Sequence, residues 1–394
     1  MRILYHHRTL GDGAEGIHVR EMIRAFRAVG DDVRVIGPVG EPGSERGVRK
    51  GGRLGRIKAA TPRLLFECLE LAYGVYAFIA TLIAIVRLRP DFIYDRYIAF
   101  NFGVVAAARR ARVPVLLEVN APLALERDVE ADERLVLRRA AYAMEKWICS
   151  KATWTIVVST PLKEYLGHIG APTDKCVVMP NGADPGRFSP RAPDPALRKR
   201  LGVADDAFVI GFTGVVRAWH GLDLLVEAMA AVVRECPSAR LLIVGDGPYR
   251  GPLEELARRV GVAHTVIVTG RVSHDDVPDH IALFDVAVSP RSTFYASPMK
   301  AIEYMALGRP VVVPRAQNFL DFVDDDRTGV TFAENDASDM ARVLLELWRS
   351  PERRERIGAA AREKVEHRLN WQWNAQECHR LVQSEVTADA AVVE

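Results

Sequence analysis

Cysteine is scarce and scattered. Cys68, Cys149, Cys176, Cys236 and Cys378 stand far apart in a chain of 394 residues. No zinc ribbon or disulfide framework has that spacing, and five reduced thiols point to a cytoplasmic setting. An excess of one charge is also missing. Against 53 basic residues stand 51 acidic ones, for a formal charge of +2. General coating of nucleic acid needs a large basic surplus, so only local basic patches remain. The opening MRILYHHRTL has few apolar residues before its histidines and arginine; it reads as a first strand rather than a secretory leader. Nor is there an uncharged run of the ~20 residues that cross a bilayer.

One uncharged stretch, Ala72–Val86, lies within the run between Glu70 and Arg87. Its length favours a helix buried inside an α/β domain. A second reading, membrane contact, rests on Arg46, Arg49, Lys50, Arg53, Arg56, Lys58 and Arg63, which precede it with no acid between Glu45 and Glu67. Basic residues beside apolar surface suit anionic lipid, and they suit a solvated loop equally.

What is present is ordinary globular composition, 49% hydrophobic and 26% charged. That excludes disorder and collagen-like or coiled-coil order. The length fits two domains most simply. RILYHH, DDVRVIGP, PDFIYDRY, VPVLLEVN and ATWTIVVS read as buried strands, with helical periodicity in GIHVREMIRAFRAVG, FGVVAAARRA and ERLVLRRAAYAMEKWICSK between them. Such alternation predicts an α/β fold with a parallel, doubly wound sheet. The Pro- and Gly-rich MPNGADPGRFSPRAPDP then marks a boundary, and the alternation restarts at AFVIGFTG. The expected domains are 1–178, joined by a terminal helix at about 371–394, and 179–370. Ligands of open parallel sheets sit at the carboxyl ends of strands, so the chemistry is expected in a cleft between the domains.

Gly11, Gly13 and Gly16 spell G-x-G-x-x-G. A dinucleotide site needs those glycines directly after the strand and an acid closing the second strand. Here Arg8-Thr9-Leu10 intervenes, and the second strand ends Val35-Ile36-Gly37. The loop reads better as a place where substrate meets backbone, with Gly16 near a helix start; a plain turn is the alternative. In SPMKAIEYMALG, Ser297 suits an N-cap, Pro298 the first turn and Gly308 the helix end. Lys300 then stands in the first turn, where the helix dipole disfavours a cation. A bound phosphate would remove that conflict. Glu303 follows on the same face and suits the paired hydroxyls of a ribose; a solvated Lys–Glu pair is the alternative. In GFTGVVRAWHG, Arg217 and His220 lie between a strand end and a helix start, where both suit phosphate oxygens. Arg271 and Val272 in VTGRV could frame a base, and Gly245 and Gly247 in VGDGP form a tight turn.

Together PNGADPGRF, GFTGVVRAWHGLDLLVEA, LLIVGDGP, VTGRVSHDDVPDHIALFDVAVSP and SPMKAIEYMALGRPVV resemble the retaining GT-B glycosyltransferases of family 4. The resemblance implies two Rossmann-like domains facing a cleft, with a nucleotide-diphosphate sugar held mainly by the second. A glycan or lipid-linked acceptor would be held mainly by the first. Glu303 matches the second glutamate of the family's E-x7-E motif, while the first falls at Tyr295. That departure resembles a subgroup with an S-P-[LM]-K-x-x-E-Y-M-A signature. The family's diphosphate-binding Arg and Lys fall at Val215 and His220, so Arg217 and Lys300 are expected to supply the charge. Asn120 stands where a cleft histidine is common, with Glu126, Arg96 and His18 as further acceptor-side residues and Ser297, Pro298 and Met299 as donor-side ones. The resemblance implies front-face attack, with a leaving phosphate oxygen taking the acceptor's proton. No D-x-D closes a strand, so catalysis without metal or other cofactor is expected. The donor base is uracil or guanine, with a lean to uracil. An anionic membrane surface is a further expected partner and nucleic acid is not. A nucleotide-sugar epimerase or phosphorylase, or a binding subunit without turnover, remains as an alternative.

Overall fold

A computed structural model describes residues 1–9, 13–37, 40–41, 61–129 and 134–393. The chain divides into two compact units, Met1–Met179 with Trp371–Glu394, and Pro180–Asn370.

The first unit carries six parallel strands: β1 (Arg2–His6), β2 (Asp32–Ile36), β3 (Phe92–Arg96), β4 (Val115–Val119), β5 (Trp154–Val157) and β6 (Cys176–Val178). Their order is β2-β1-β3-β4-β5-β6. The step from β1 to both neighbours makes the sheet doubly wound. Its helices are α1 (Ala14–Ala28), α2 (Arg63–Leu88), α3 (Gly103–Ala111), α4 (Leu123–Val129), α5 (Arg138–Lys151) and α6 (Thr160–His168). All five residues of β4 are buried, as expected for a strand covered on both faces. The terminal helix Trp371–Val393 returns to this unit, where His379 Nε2 donates to Asp31 at 2.7 Å.

The second unit repeats the plan with β7 (Val209–Thr213), β8 (Arg240–Val244), β9 (Val266–Val268), β10 (Val286–Val288), β11 (Val311–Pro314) and β12 (Val330–Phe332). Their order is β12-β11-β10-β7-β8-β9, again parallel. Its helices are α7 (Pro195–Arg200), α8 (Leu222–Glu235), α9 (Arg250–Arg259), α10 (Val277–Ile281), α11 (Met299–Ala306), α12 (Gln317–Leu320), α13 (Ala337–Arg349) and α14 (Pro351–His367). Separate apolar clusters cover the two faces of this sheet, one around Leu225 and Leu344, the other around Phe284 and Tyr304.

Two expectations change. The apolar helix α2 is not buried as a whole: Leu65, Leu69, Tyr76, Ile79, Ile83 and Val86 are exposed, whereas its two acids, Glu67 and Glu70, are buried. The acids go inward because partners wait there. Glu67 accepts from Val136 N and Leu137 N at 2.8 and 2.7 Å, satisfying amide groups at the start of α5. Gly74 and Gly103 then let α2 and α3 touch backbone to backbone. A Cβ on Gly103 would lie 2.0 Å from the Gly74 carbonyl oxygen. Of the basic run before α2, Arg63 opens the helix, and Arg46, Arg49, Lys50, Arg53, Arg56 and Lys58 lie outside the described residues. The second change is at α11. Ser297 is not its cap: its Oγ accepts from Asn181 N at 3.1 Å, while Asn181 Nδ2 donates to the Ser297 carbonyl at 2.7 Å. The residue ties the opening of the second unit to the helix start instead.

Candidate functional site

In the second unit, the carboxyl end of β7 and the start of α11 meet through Tyr304. Its hydroxyl accepts from Thr213 N at 2.7 Å and lies 3.0 Å from Thr213 Oγ1. Tyr304 stands one turn beyond Lys300, so this anchor brings Lys300 up to the β7 loop. Lys300 Nζ lies 4.2 Å from the centre of the Phe212 ring. Gly214, at φ 132°, leaves the room: a Cβ there would sit 3.1 Å from Nζ. Burial pushes the Lys300 ammonium down to about 7, against the opposing pull of Glu303.

His220 closes the same loop in the short 3-10 turn Ala218–His220. Its Nδ1 is 2.7 Å from the Val215 carbonyl. A carbonyl only accepts, so Nδ1 carries the hydrogen and a neutral ring presents Nε2 as an acceptor. Burial first, then the charges of Lys300 and Arg217, drive the ring down to about 3. Arg217 is exposed, with its guanidinium 4.7 Å from the Trp219 ring. Two cationic groups and a neutral imidazole thus crowd one strand end. Expected as a donor to phosphate, His220 donates only when a second proton joins the ring, and an arriving anion favours that.

Around this group, Glu303 is half-buried on α11, as are Pro298 and Met299 at its opening; Tyr295 precedes them with its ring 5.2 Å from Phe294. Gly308, at φ 69°, follows the end of α11, and its N–H bonds Met305 O at 2.9 Å. Arg271 is exposed and Val272 half-buried on the loop after β9, two strands from β7 in the sheet. Gly245 serves the fold directly: a Cβ on it would lie 2.0 Å from the Gly214 carbonyl, so it admits the β7 loop.

At the carboxyl end of the first unit's sheet the chemistry differs. His18, on α1, pairs its Nε2 with Glu118 Oε1 at 2.8 Å, and Arg96 Nη1 donates to His18 Nδ1 at 2.9 Å. Because a guanidinium only donates, His18 is neutral with its hydrogen on Nε2. Burial would raise the Glu118 carboxyl, but the hydrogen bond from His18, the charge of Arg96 and the amide of Asn120 bring it below its ordinary value. Asn120 Nδ2 is buried beside that carboxyl but makes no hydrogen bond of good geometry among the described residues, which leaves an amide donor for a hydroxyl to share. Glu126 lies half-buried in α4. Gly16 is buried in the first turn of α1, and Gly11 lies outside the described residues.

Sequence reasoning missed a neighbouring cluster. His6 and Asp95 are register partners on β1 and β3, and His6 Nδ1 donates to Asp95 Oδ1 at 2.7 Å. His6 Nε2 lies 3.1 Å from the Tyr73 hydroxyl. Burial raises the Asp95 carboxyl while His6 draws it down. Glu70 binds both Arg8 and Arg127, the latter at 2.7 Å. The only signal in the sequence was a polar residue closing each of several buried strands.

Comparison with known proteins follows the same division. Residues 13–182 match the glycosyl transferase 4-like domain family, and residues 193–364 match glycosyl transferases group 1. A mannosyltransferase of Corynebacterium glutamicum, described as GDP-mannose-dependent and acting on a monoacylated alpha-(1-6)-phosphatidylinositol monomannoside, is 31% identical over 52% of this chain. The match spans 56% of that relative, little more than half its length. The sulfoquinovosyl transferase SQD2 of Arabidopsis thaliana is 28% identical over 90% of this chain and 67% of its own. Among solved structures, Anabaena HepE in complex with UDP superposes with a TM-score of 0.73 at 19% identity, over 98% of this chain and all of that one. Sucrose-phosphate synthase of Thermosynechococcus elongatus gives 0.72 at 20% identity, over 98% and 100%. These neighbours share the fold, two parallel-sheet Rossmann-like domains of the GT-B kind.

Proposed function

With both of its large segments belonging to glycosyltransferase families, this chain, we propose, transfers a sugar from a nucleotide-diphosphate donor to an acceptor hydroxyl with retention of anomeric configuration. One observation carries the reading: Lys300, Arg217 and His220 crowd the end of β7, where burial lowers the Lys300 ammonium to about 7. Such a group is destabilised by itself and relieved by a diphosphate.

The mechanism follows from where charge moves. As the sugar–phosphate bond breaks, negative charge grows on the diphosphate, and fixed cations stabilise it most at that moment. Lys300 stands in the first turn of α11, whose N-terminal dipole adds to the field. Glu303, one turn further in, suits a ribose diol. A leaving phosphate oxygen takes the acceptor's proton, so no side chain is assigned as a base. These cations do the work a Lewis-acid metal does elsewhere, and turnover is expected to survive EDTA. The acceptor is assigned to the first unit, where Asn120 offers a buried donor and Arg96, His18 and Glu118 are already paired among themselves. A glycan or glycolipid suits that neutral surface, and the lipid substrate named for the mannosyltransferase relative supports the choice. Four of the five cysteines are buried and all are free, which fits work in the reducing cytoplasm.

The test is direct. A thermal-shift panel of UDP, GDP and their sugars should show one nucleoside diphosphate raising Tm in proportion to its concentration. The anomeric configuration of the transferred sugar, read by NMR, should match the donor. Absence of stabilisation by any nucleoside diphosphate would overturn the donor assignment, and an inverted product would overturn retention.

A further inference from the structure

We propose that α2 seats this protein on an anionic lipid bilayer, lying in the plane of the surface with its outward stripe among the acyl chains. The stripe is Leu65, Leu69, Tyr76, Ile79, Ile83 and Val86, all exposed, with Val86 at 77% and Tyr76 at 63%. At 1.5 Å per residue it runs for roughly 30 Å along one side of the helix. Apolar surface of that extent marks an interaction site.

The helix is turned inside out relative to an ordinary surface helix. Its only carboxylates, Glu67 and Glu70, point into the protein and are bonded there. Hence no acid stands on the outward face to repel lipid phosphates. Arg63 at one end and Arg87 with Arg89 at the other are exposed, placed to reach headgroups while the stripe enters the acyl region.

By length and composition alone this helix could cross a membrane. Its inner side argues otherwise. Bonded acids and the contact of Gly74 with Gly103 hold that side to the folded unit, so only one face is available to lipid. Pairing with a second copy along the stripe fits less well. An antiparallel pair would set Arg63 against Arg87 and Arg89, and a parallel pair would set each arginine against itself. Lipid phosphates meet these charges instead.

The inner face gives the docking a consequence. Glu70 holds Arg8, just past β1, and Arg127 on α4, while Tyr73 reaches His6. The helix on the lipid therefore also braces the strand ends of the first unit, which places that face of the protein at the membrane surface.

Flotation with vesicles tests this without reference to sugar transfer. The full chain should float with phosphatidylcholine vesicles containing about 30% phosphatidylglycerol, and much less with phosphatidylcholine alone. Ile79→Glu with Ile83→Glu should cut the bound fraction at least tenfold while leaving Tm unchanged, since both side chains are exposed. Arg63→Gln with Arg87→Gln should weaken binding to anionic vesicles about tenfold or more, at ~1 kcal/mol for each arginine. No flotation, equal flotation with both vesicles, or flotation that survives the double glutamate variant would overturn the proposal. So would a lipid-free dimer that the glutamate variant dissociates, because the stripe would then belong to a second copy.

Discussion

The two sheets end in opposite electrostatic conditions. At the strand ends of the first unit, the buried charges among the described residues have counterparts: His6 with Asp95, Glu118 with His18 and Arg96, Glu70 with Arg8 and Arg127. In the second unit, Lys300, His220 and Arg217 stand together, and among the described residues Glu303 supplies the opposing pull on Lys300. A balanced site is built to receive a neutral molecule, whose hydroxyls take up leftover donors such as Asn120. An unbalanced one is completed by an anion. On the donor and acceptor assignments proposed above, the repeated fold separates a polyol side from a phosphate side by the arithmetic of charge.

That contrast can be broken first in the balanced half. Glu118→Gln removes the carboxylate on which His18 and Arg96 converge, leaving a largely buried guanidinium without its partner. Losing one member of a buried pair costs about 3–5 kcal/mol, and urea unfolding should show a fall of that size. Adding Arg96→Met should return part of it; additive losses would mean the two do not act as a pair. In the unbalanced half the expectation is different in kind. Lys300→Ala deletes a charge that burial has made costly, so stability should change little. Turnover should fall about 100-fold or more, as when a transition-state charge contact is lost. Near-normal turnover would dissolve the contrast. Smaller still, Glu303→Gln should weaken nucleoside diphosphate binding about tenfold, the scale of one charged hydrogen bond, as calorimetry would read it.

The fold was legible because its signals are local. Short buried strands alternate with helices of 3.6-residue period, and a Pro- and Gly-rich stretch interrupts them once, so two parallel sheets follow without long-range information. Polar residues near strand ends were legible for the same reason, since Arg217 and His220 border a glycine-containing turn and Lys300 opens a helix. What the sequence concealed is everything set by pairing across distance. Ser297 looks like a cap by local rule, yet it binds Asn181, 116 positions away. His6 and Asp95 meet across 89 positions through strand register alone. Periodicity revealed that α2 is apolar but not which side faces inward, because that choice was made by amide groups of α5 waiting for Glu67. Nothing near Lys300 in the chain announces Phe212 and Gly214, although those two stand beside its ammonium.

That proton affinity supplies the finest test of the contrast. Lys300 is lowered from 10.5 to about 7, so near pH 8 the protein without nucleotide is expected to carry mostly the neutral amine there. A diphosphate stabilises the ammonium, raises its pKa, and draws a proton from solvent as it binds. Binding that takes up a proton weakens as pH rises. Affinity for the nucleoside diphosphate should therefore decline from about pH 7.5 to about pH 9, by at most tenfold per unit. Above pH 7.5 the diphosphate itself hardly titrates, so the decline reports on the protein. Calorimetry in buffers of different ionisation enthalpy should find close to one proton absorbed near pH 8 in the native chain and almost none in Lys300→Met. His220 cannot supply that proton, because its pKa, near 3, lies too far below this range for an anion to bring it up fully. Were Lys300→Met to keep the uptake, the charge imbalance at β7 would have to be assigned to another group.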